Sequence, residues 1–146
     1  MLQMMRARTD RVAATGFDGI EYDIADTYAQ GRHTTGFRLS EGTQLAYNVA
    51  LTEMAHDDGL AVALKNDLGQ IDDLVTFYDL AINEQCQQYD ECGGYAAFVD
   101  AGKPVLEAEY KLRPREFCPL AERMGLSAIK KAANYSLYAR PYIPCS

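Results

Sequence analysis

Polar side chains suited to acid–base chemistry stand at the ends of five short apolar segments of the chain. The first segment ends in Glu21 and Asp23, the third in Glu84, and the fourth in Glu107 and Glu109. Since side chains alternate along a strand, Glu21 and Asp23 point to one face, and so do Glu107 and Glu109. We expect that face to be a polar mouth, because carboxylates left unpaired beneath a layer of helices are costly.

Carboxylates that converge from several strands meet the two-acid requirement of glycoside hydrolysis. One acid protonates the leaving oxygen, and the other acts as nucleophile or activates water. Each acid also has a structural alternative, since it can cap a following helix or pair with Lys65, Lys130 or Arg113. The residues alone therefore predict a hydrolytic site without assigning a role to each acid.

A repeated pattern of helix, glycine and short strand must position these residues. Four helix-compatible segments end at a glycine and run into an apolar segment, at Gly16, Gly59, Gly102 and Gly125. Glycine suits the left-handed residue that follows a helix. The predicted strands are 17–23, 60–67, 79–86, 103–110 and 126–131. Each interval has room for a crossover helix, so the pattern predicts an α/β fold with parallel strands.

The best-supported helix is predicted over residues 41–58. Ser40 is a suitable N-cap. Helical spacing places Leu45, Val49, Thr52 and His56 along one face. We expect His56 at the surface, because two aspartates follow it directly.

Composition excludes several classes of protein. The chain has 146 residues, 48% of them hydrophobic, and a net charge of −7, which fits one globular domain without an affinity for nucleic acid. No apolar run is long enough to span a membrane, and the first residues lack the apolar core of a signal peptide. Glycine-rich nucleotide-binding motifs and metal-ligand spacings are absent, so we expect no cofactor and no metal.

Four cysteines are present, which allows three pairings if all are oxidised. Cys86 and Cys92 flank a short polar stretch, while Cys118 and Cys145 bracket the last segment of the chain. We expect two local disulfides, with free thiols as the alternative. Disulfides would indicate an oxidising compartment.

Several blocks of the sequence resemble the endo-α-1,4-polygalactosaminidase family, glycoside hydrolase family 114. The blocks are GFDGIEYDIADTY, TGFRLSEGTQLAYN, AHDDGLAVALKNDLGQ, DLAINEQCQQYDEC, AGKPVLEAEY and MGLSAIKK. The resemblance covers about residues 5 to 145, and ALKND with INEQC is its specific part. It implies a (β/α)8 barrel, mostly secreted, that cleaves galactosamine-rich polysaccharide internally with an Asp and a Glu.

Carried over residue by residue, the resemblance implies that Glu84 is the catalytic Glu and that Asp23 is the catalytic Asp, with Asp26 as its rival. Further strand-end residues are implied to contact the substrate: Glu21, Asp26, Tyr28, Lys65, Asn66, Asp67, Asn83, Glu107, Glu109, Tyr110 and Lys130. The four cysteines fall where the family forms disulfides. The chain departs from the family's usual EPDNVDGY, because Tyr22, Ile24 and Thr27 replace Pro, Asn and Gly.

Length sets one further expectation. A complete (β/α)8 barrel needs about 250 residues, and five strands are found here. We therefore expect residues 1–146 to be a single hydrolase domain truncated at its N-terminus, with strands that resemble strands four to eight of the barrel. The alternatives are a carbohydrate-binding or vestigial protein without turnover, and an unrelated parallel α/β enzyme.

Overall fold

The computed structural model describes residues 1–145, apart from the side chain of Arg32, and it contains all five predicted strands. The strands are β1 (Gly19–Tyr22), β2 (Ala61–Lys65), β3 (Leu80–Glu84), β4 (Val105–Glu109) and β5 (Ser127–Lys130). A sixth strand, β6 (Ile143–Pro144), was not predicted; it has only two residues, too few for a pattern of alternation.

Helices and short turns connect these strands. The helices are α1 (Leu2–Ala14), α2 (Arg32–Thr35), α3 (Glu41–Asp57), α4 (Ile71–Leu74), α5 (Cys86–Tyr89), α6 (Ala96–Asp100) and α7 (Pro114–Arg123). Three 3₁₀ turns cover Thr27–Gln30, Leu68–Gln70 and Cys92–Tyr95. Within the described residues, no helix is both long enough and apolar enough to cross a bilayer. The predicted helix-ending glycines are confirmed, since all four have φ between +69° and +83°.

The first of two compact units runs from Met1 to Asp79. Its strands β1 and β2 pair in parallel, with Glu21 opposite Ala63. Helices α1 and α3 pack together and against these strands. Leu51 and Leu64 are among the fully buried residues of this unit.

The second unit begins at Leu80. Strands β3, β4 and β5 pair in parallel, and β6 runs antiparallel to β5. Phe98 of α6 and Phe117 of α7 are completely buried. The two local disulfides, Cys86–Cys92 and Cys118–Cys145, are confirmed, and the second connects α7 to the end of β6.

Helix α3 matches its predicted limits. The Ser40 hydroxyl accepts the Thr43 backbone N–H at 3.2 Å, which confirms Ser40 as the N-cap. The buried residues are Gln44, Asn48, Leu51, Thr52 and Ala55, whereas His56 is exposed, as predicted. The two polar side chains can be buried because Gln44 donates to Asn48 at 2.9 Å.

One residue beside the predicted acids has an unfavourable backbone conformation. Ile24, directly after Asp23, has φ of +60° and is 59% exposed. A β-branched side chain crowds the backbone in this left-handed region, whereas Asn tolerates it. The chain therefore carries local strain at the carboxyl end of β1, without burial of Ile24 to offset it.

We expect Ile24→Asn to raise the free energy of unfolding by about 1 kcal/mol, because it relieves this strain and removes little buried surface. Urea unfolding followed by circular dichroism measures the effect. Ile24→Val is the matched control, since valine is also β-branched and should bring no gain. Equal stability of the Asn and Val variants would contradict the account.

Candidate active site

Two carboxylates at the end of β1 share one lysine. The ammonium nitrogen of Lys65 lies 3.2 Å from Asp23 Oδ1 and 3.9 Å from Glu21 Oε1. The backbone N–H of Ile24 also donates to Asp23 Oδ1, at 2.9 Å. Lys65 is buried, while the Asp23 side chain is 63% exposed. The lysine therefore holds an acid that remains open to a ligand.

The rival acid, Asp26, stands in a different setting. It precedes the 3₁₀ turn Thr27–Gln30, and its Oδ1 lies 3.5 Å from the Gln30 side-chain nitrogen. Its backbone carbonyl accepts the Ala29 N–H at 2.9 Å. These contacts are those of a residue that begins a turn.

A buried hydrogen-bond network holds the turn that follows β2. The Asn48 side-chain nitrogen donates to Asp67 at 3.0 Å, to Gln70 at 3.3 Å and to the Ala25 carbonyl at 3.1 Å. Burial raises the pKa of Asp67 to about 6. Asn66 and Asp67 both have left-handed φ, of +52° and +50°. Asp67 is therefore a buried residue of this turn, held by Asn48.

In the second unit, Glu84 at the end of β3 accepts a hydrogen bond from the Tyr110 hydroxyl. Glu84 is partly exposed, whereas Tyr110 is 1% exposed. Lys130 donates to the Tyr110 carbonyl at 2.6 Å. Tyr110 therefore holds Glu84 in place, and Lys130 holds the backbone of Tyr110.

The loop after Glu84 is fixed by two side chains. Asn83 accepts the Cys86 N–H at 2.8 Å and donates to the buried Tyr95 hydroxyl at 2.8 Å. Glu109 accepts the N–H groups of Gln87 and Gln88 at 3.0 and 3.1 Å. An anion is favourable there, because these N–H groups lie in the first turn of α5.

Glu107 and Glu109 lie on the strand face opposite Glu84. Glu84 is in register with Ala108, so the residues on either side of Ala108 point the other way. Both side chains are buried. The expected polar mouth is therefore wrong for this pair, because the face that receives them is covered and not open.

Burial raises the pKa of both carboxyls in this pair. The neighbouring charge of Glu109 raises the pKa of Glu107 further, whereas the two backbone N–H groups and Lys130 favour a charged Glu109. Of the two carboxyls, Glu107 therefore favours its protonated form more strongly, with its pKa raised to about 8.

The structure thus divides the predicted site residues by accessibility. Open or partly open to solvent are Glu21, Asp23, Asp26, Tyr28, Asn66, Glu84 and Lys130. Buried are Lys65, Asp67, Asn83, Glu107, Glu109 and Tyr110. Sequence reasoning missed Gln44 and Asn48, which are four residues apart on one helix face; that spacing was the available signal.

Among the described residues, Cys86, Cys92 and Glu107 bring potential metal-ligating atoms within 4.8 Å of one another. The two sulfurs are bonded in a disulfide, so this cluster offers no thiolate.

Comparison with known proteins finds a family whose model matches this chain. The model of the glycoside-hydrolase family GH114 matches residues 1–142. The chain is also similar to Ega3 of Aspergillus fumigatus, whose crystal structure holds galactosamine, with 29% identity and a TM-score of 0.82. That match covers 91% of this chain and 57% of Ega3. No curated protein sequence matches.

A second solved structure is similar in fold alone. It is the glycoside hydrolase domain of PelA from Pseudomonas aeruginosa, with 14% identity and a TM-score of 0.61. That match covers 93% of this chain and 62% of the PelA domain. The chain therefore spans less than two thirds of either structure.

The raised pKa of Glu107 predicts a dependence of stability on pH. The folded state holds a proton on Glu107 at pH values above the ordinary carboxyl pKa of 4.5, where the unfolded chain has lost it. This contribution to stability therefore declines as the pH rises from about 5 to about 8. We expect Glu107→Gln to weaken that decline, because glutamine donates a hydrogen bond at every pH. Thermal unfolding at several pH values measures it.

Glu122→Gln is the matched control, since Glu122 is exposed on α7 in the same unit. It should keep the wild-type decline. A Glu107→Gln protein with the same pH dependence as the wild type would show that Glu107 is ionised in the folded state.

Proposed function

The chain belongs to the glycoside-hydrolase family GH114, and from this we propose that it hydrolyses galactosamine-containing polysaccharide with Glu84 and Asp23 as its two acids. The observation that carries the proposal is the pairing of each acid with its own holding group. Tyr110 donates to Glu84, and Lys65 contacts Asp23. Oriented acids are what glycosidic cleavage requires.

The proposed chemistry assigns one role to each acid. Protonated Glu84 gives its proton to the leaving glycosidic oxygen as the bond to the anomeric carbon breaks. The Asp23 carboxylate, which contacts Lys65, either attacks the anomeric carbon or takes a proton from the attacking water. In both routes one water is consumed, and a new reducing end is formed.

Asp23 is preferred to Asp26 because of its neighbours. The Asp23 carboxylate is open to solvent and lies 3.2 Å from the Lys65 ammonium nitrogen, which also lies 3.9 Å from Glu21. Asp26 contacts Gln30 at the start of a turn.

Charge and the structural comparison support the substrate class. The net charge is −7, and Glu21 and Asp23 place carboxylates at an accessible strand end. Ega3 was solved with galactosamine. Amino sugars without N-acetyl groups are cationic, so an acidic site attracts them. The family resemblance adds endo-acting cleavage of α-1,4 linkages, and the two disulfides fit a secreted protein.

The fold supports a barrel origin for the strands. The helix–strand alternation is that of a (β/α)8 barrel, in which active sites form at the carboxyl ends of strands. We infer that the five parallel strands correspond to strands four to eight of such a barrel.

A carbohydrate-binding protein without turnover is the second candidate. The strained Ile24, which stands beside Asp23 where the family has Asn, favours it. Oligosaccharide binding without release of reducing ends is the result that this alternative predicts.

We expect Glu84→Gln to lower the rate of reducing-end release from de-N-acetylated galactosaminogalactan by at least about 100-fold, because glutamine cannot supply the proton. Its unfolding midpoint should stay close to that of the wild type, since the carbonyl oxygen of the introduced amide still accepts from Tyr110. Reducing-end assays and thermal unfolding measure the two effects.

Glu91→Gln is the matched control, because Glu91 is exposed seven residues further along the chain. It should retain wild-type activity. Wild-type activity in Glu84→Gln would remove Glu84 from the mechanism.

A further inference from the structure

The connection between β1 and α3 lines a cavity of about 370 Å³ that is open to solvent on one side. Its lining includes Thr27, Tyr28, Thr35, Phe37, Arg38 and Leu39. A volume of this size is within the range of small-molecule pockets. The same connection begins with Asp23, and loops after barrel strands carry substrate contacts in enzymes of that type.

Phe37 presents an apolar ring on a shaped turn. Its side chain is 71% exposed. The Thr35 hydroxyl accepts the Phe37 N–H at 3.2 Å and contacts the Phe37 carbonyl oxygen at 2.9 Å. Gly36 between them has φ of +75°, which fits the turn. The backbone is thus held in place, while the ring remains uncovered beside a cavity.

Tyr28 forms a second aromatic wall. A side chain at Gly69 would collide with the Tyr28 hydroxyl, so glycine leaves room for it. Burial and the charge of Asp67 raise the pKa of this hydroxyl to about 12. The negative charges of Asp26 and Glu41 also raise the pKa of this hydroxyl. The ring is therefore neutral and anchored at its hydroxyl.

The charge of Arg38 is the feature of the cavity that can distinguish one sugar from another. It is the charged residue among the described residues that line the cavity. A guanidinium group has only hydrogen-bond donors, so it needs an acceptor on the ligand. The acetamido group of an N-acetylhexosamine offers a carbonyl oxygen. The ammonium group of an unsubstituted hexosamine offers none and carries a like charge.

We propose that Tyr28, Phe37 and Arg38 form a subsite for an N-acetylated sugar residue of the polysaccharide. The rings cover the apolar face of the sugar, and Arg38 donates to its acetamido carbonyl. The inference rests on the proposed function, because it places one sugar unit of that substrate at a defined position on the protein. It adds a preference: the polymer should carry both free amino groups and N-acetyl groups.

The test uses the full chain and two probes, an α-1,4-linked N-acetylgalactosamine hexasaccharide and the same hexasaccharide with half of its residues de-N-acetylated. Calorimetric titration gives Kd, and reducing-end release gives KM and kcat. Phe37→Ala should raise Kd and KM for both probes about 10-fold and leave kcat within about 2-fold. Arg38→Gln should weaken binding of the fully acetylated probe more than that of the mixed probe.

Matched controls isolate the cavity. Phe17→Ala removes a phenylalanine of similar exposure, 65%, from the turn before β1, and Arg123→Gln removes an exposed arginine from α7. Both controls should bind as the wild type does. Equal effects of Phe37→Ala and Phe17→Ala, or a fall in kcat without a rise in Kd, would overturn the subsite. A wild type that binds through Phe37 but releases no reducing ends would support the subsite and contradict the proposed function.

Discussion

Alternation of side chains along parallel strands governs how this chain uses its acids. Residues in register on neighbouring strands point to the same face of the sheet. Glu84 and Ala108 therefore lie on one face, and Asn83 and Glu107 lie on the opposite face. One face remains accessible, and the other is covered. Of two carboxylates at neighbouring positions on a strand, one is therefore open to a ligand and the other is buried.

Buried polar groups hold the turns at the carboxyl ends of the strands. Glu109 accepts the Gln87 and Gln88 N–H groups of α5, which begins two residues after Glu84. In the first unit, Asn48 donates to buried Asp67 in the turn after β2. Loss of such a partner leaves a buried charge, which costs more than an exposed pair contributes. The turns at the strand ends thus depend on polar groups that are themselves buried.

Local signals in the sequence predicted the helices and strands well, but they did not predict which polar side chains are buried. Glycines and apolar runs located the five strands, and Ser40 marked the start of α3. Spacing alone showed that Glu107 and Glu109 share a face, but which face is covered depends on helices distant in sequence. The burial of Asn48 was missed for a related reason, since it depends on Asp67, Gln70 and Ala25, which accept its hydrogen bonds and lie elsewhere in the sequence.

In the proposed reaction, the acid that Lys65 contacts at the end of β1 takes part in hydrolysis. The most direct measurement compares Asp23→Asn with Asp26→Asn in reducing-end release from a galactosamine polymer, because both change a carboxylate to its isosteric amide on the same connection. The account predicts that Asp23→Asn loses at least about 100-fold in kcat and that Asp26→Asn stays within about 5-fold of the wild type. The reverse order would contradict it, since Lys65 would then hold a carboxylate that the reaction does not use.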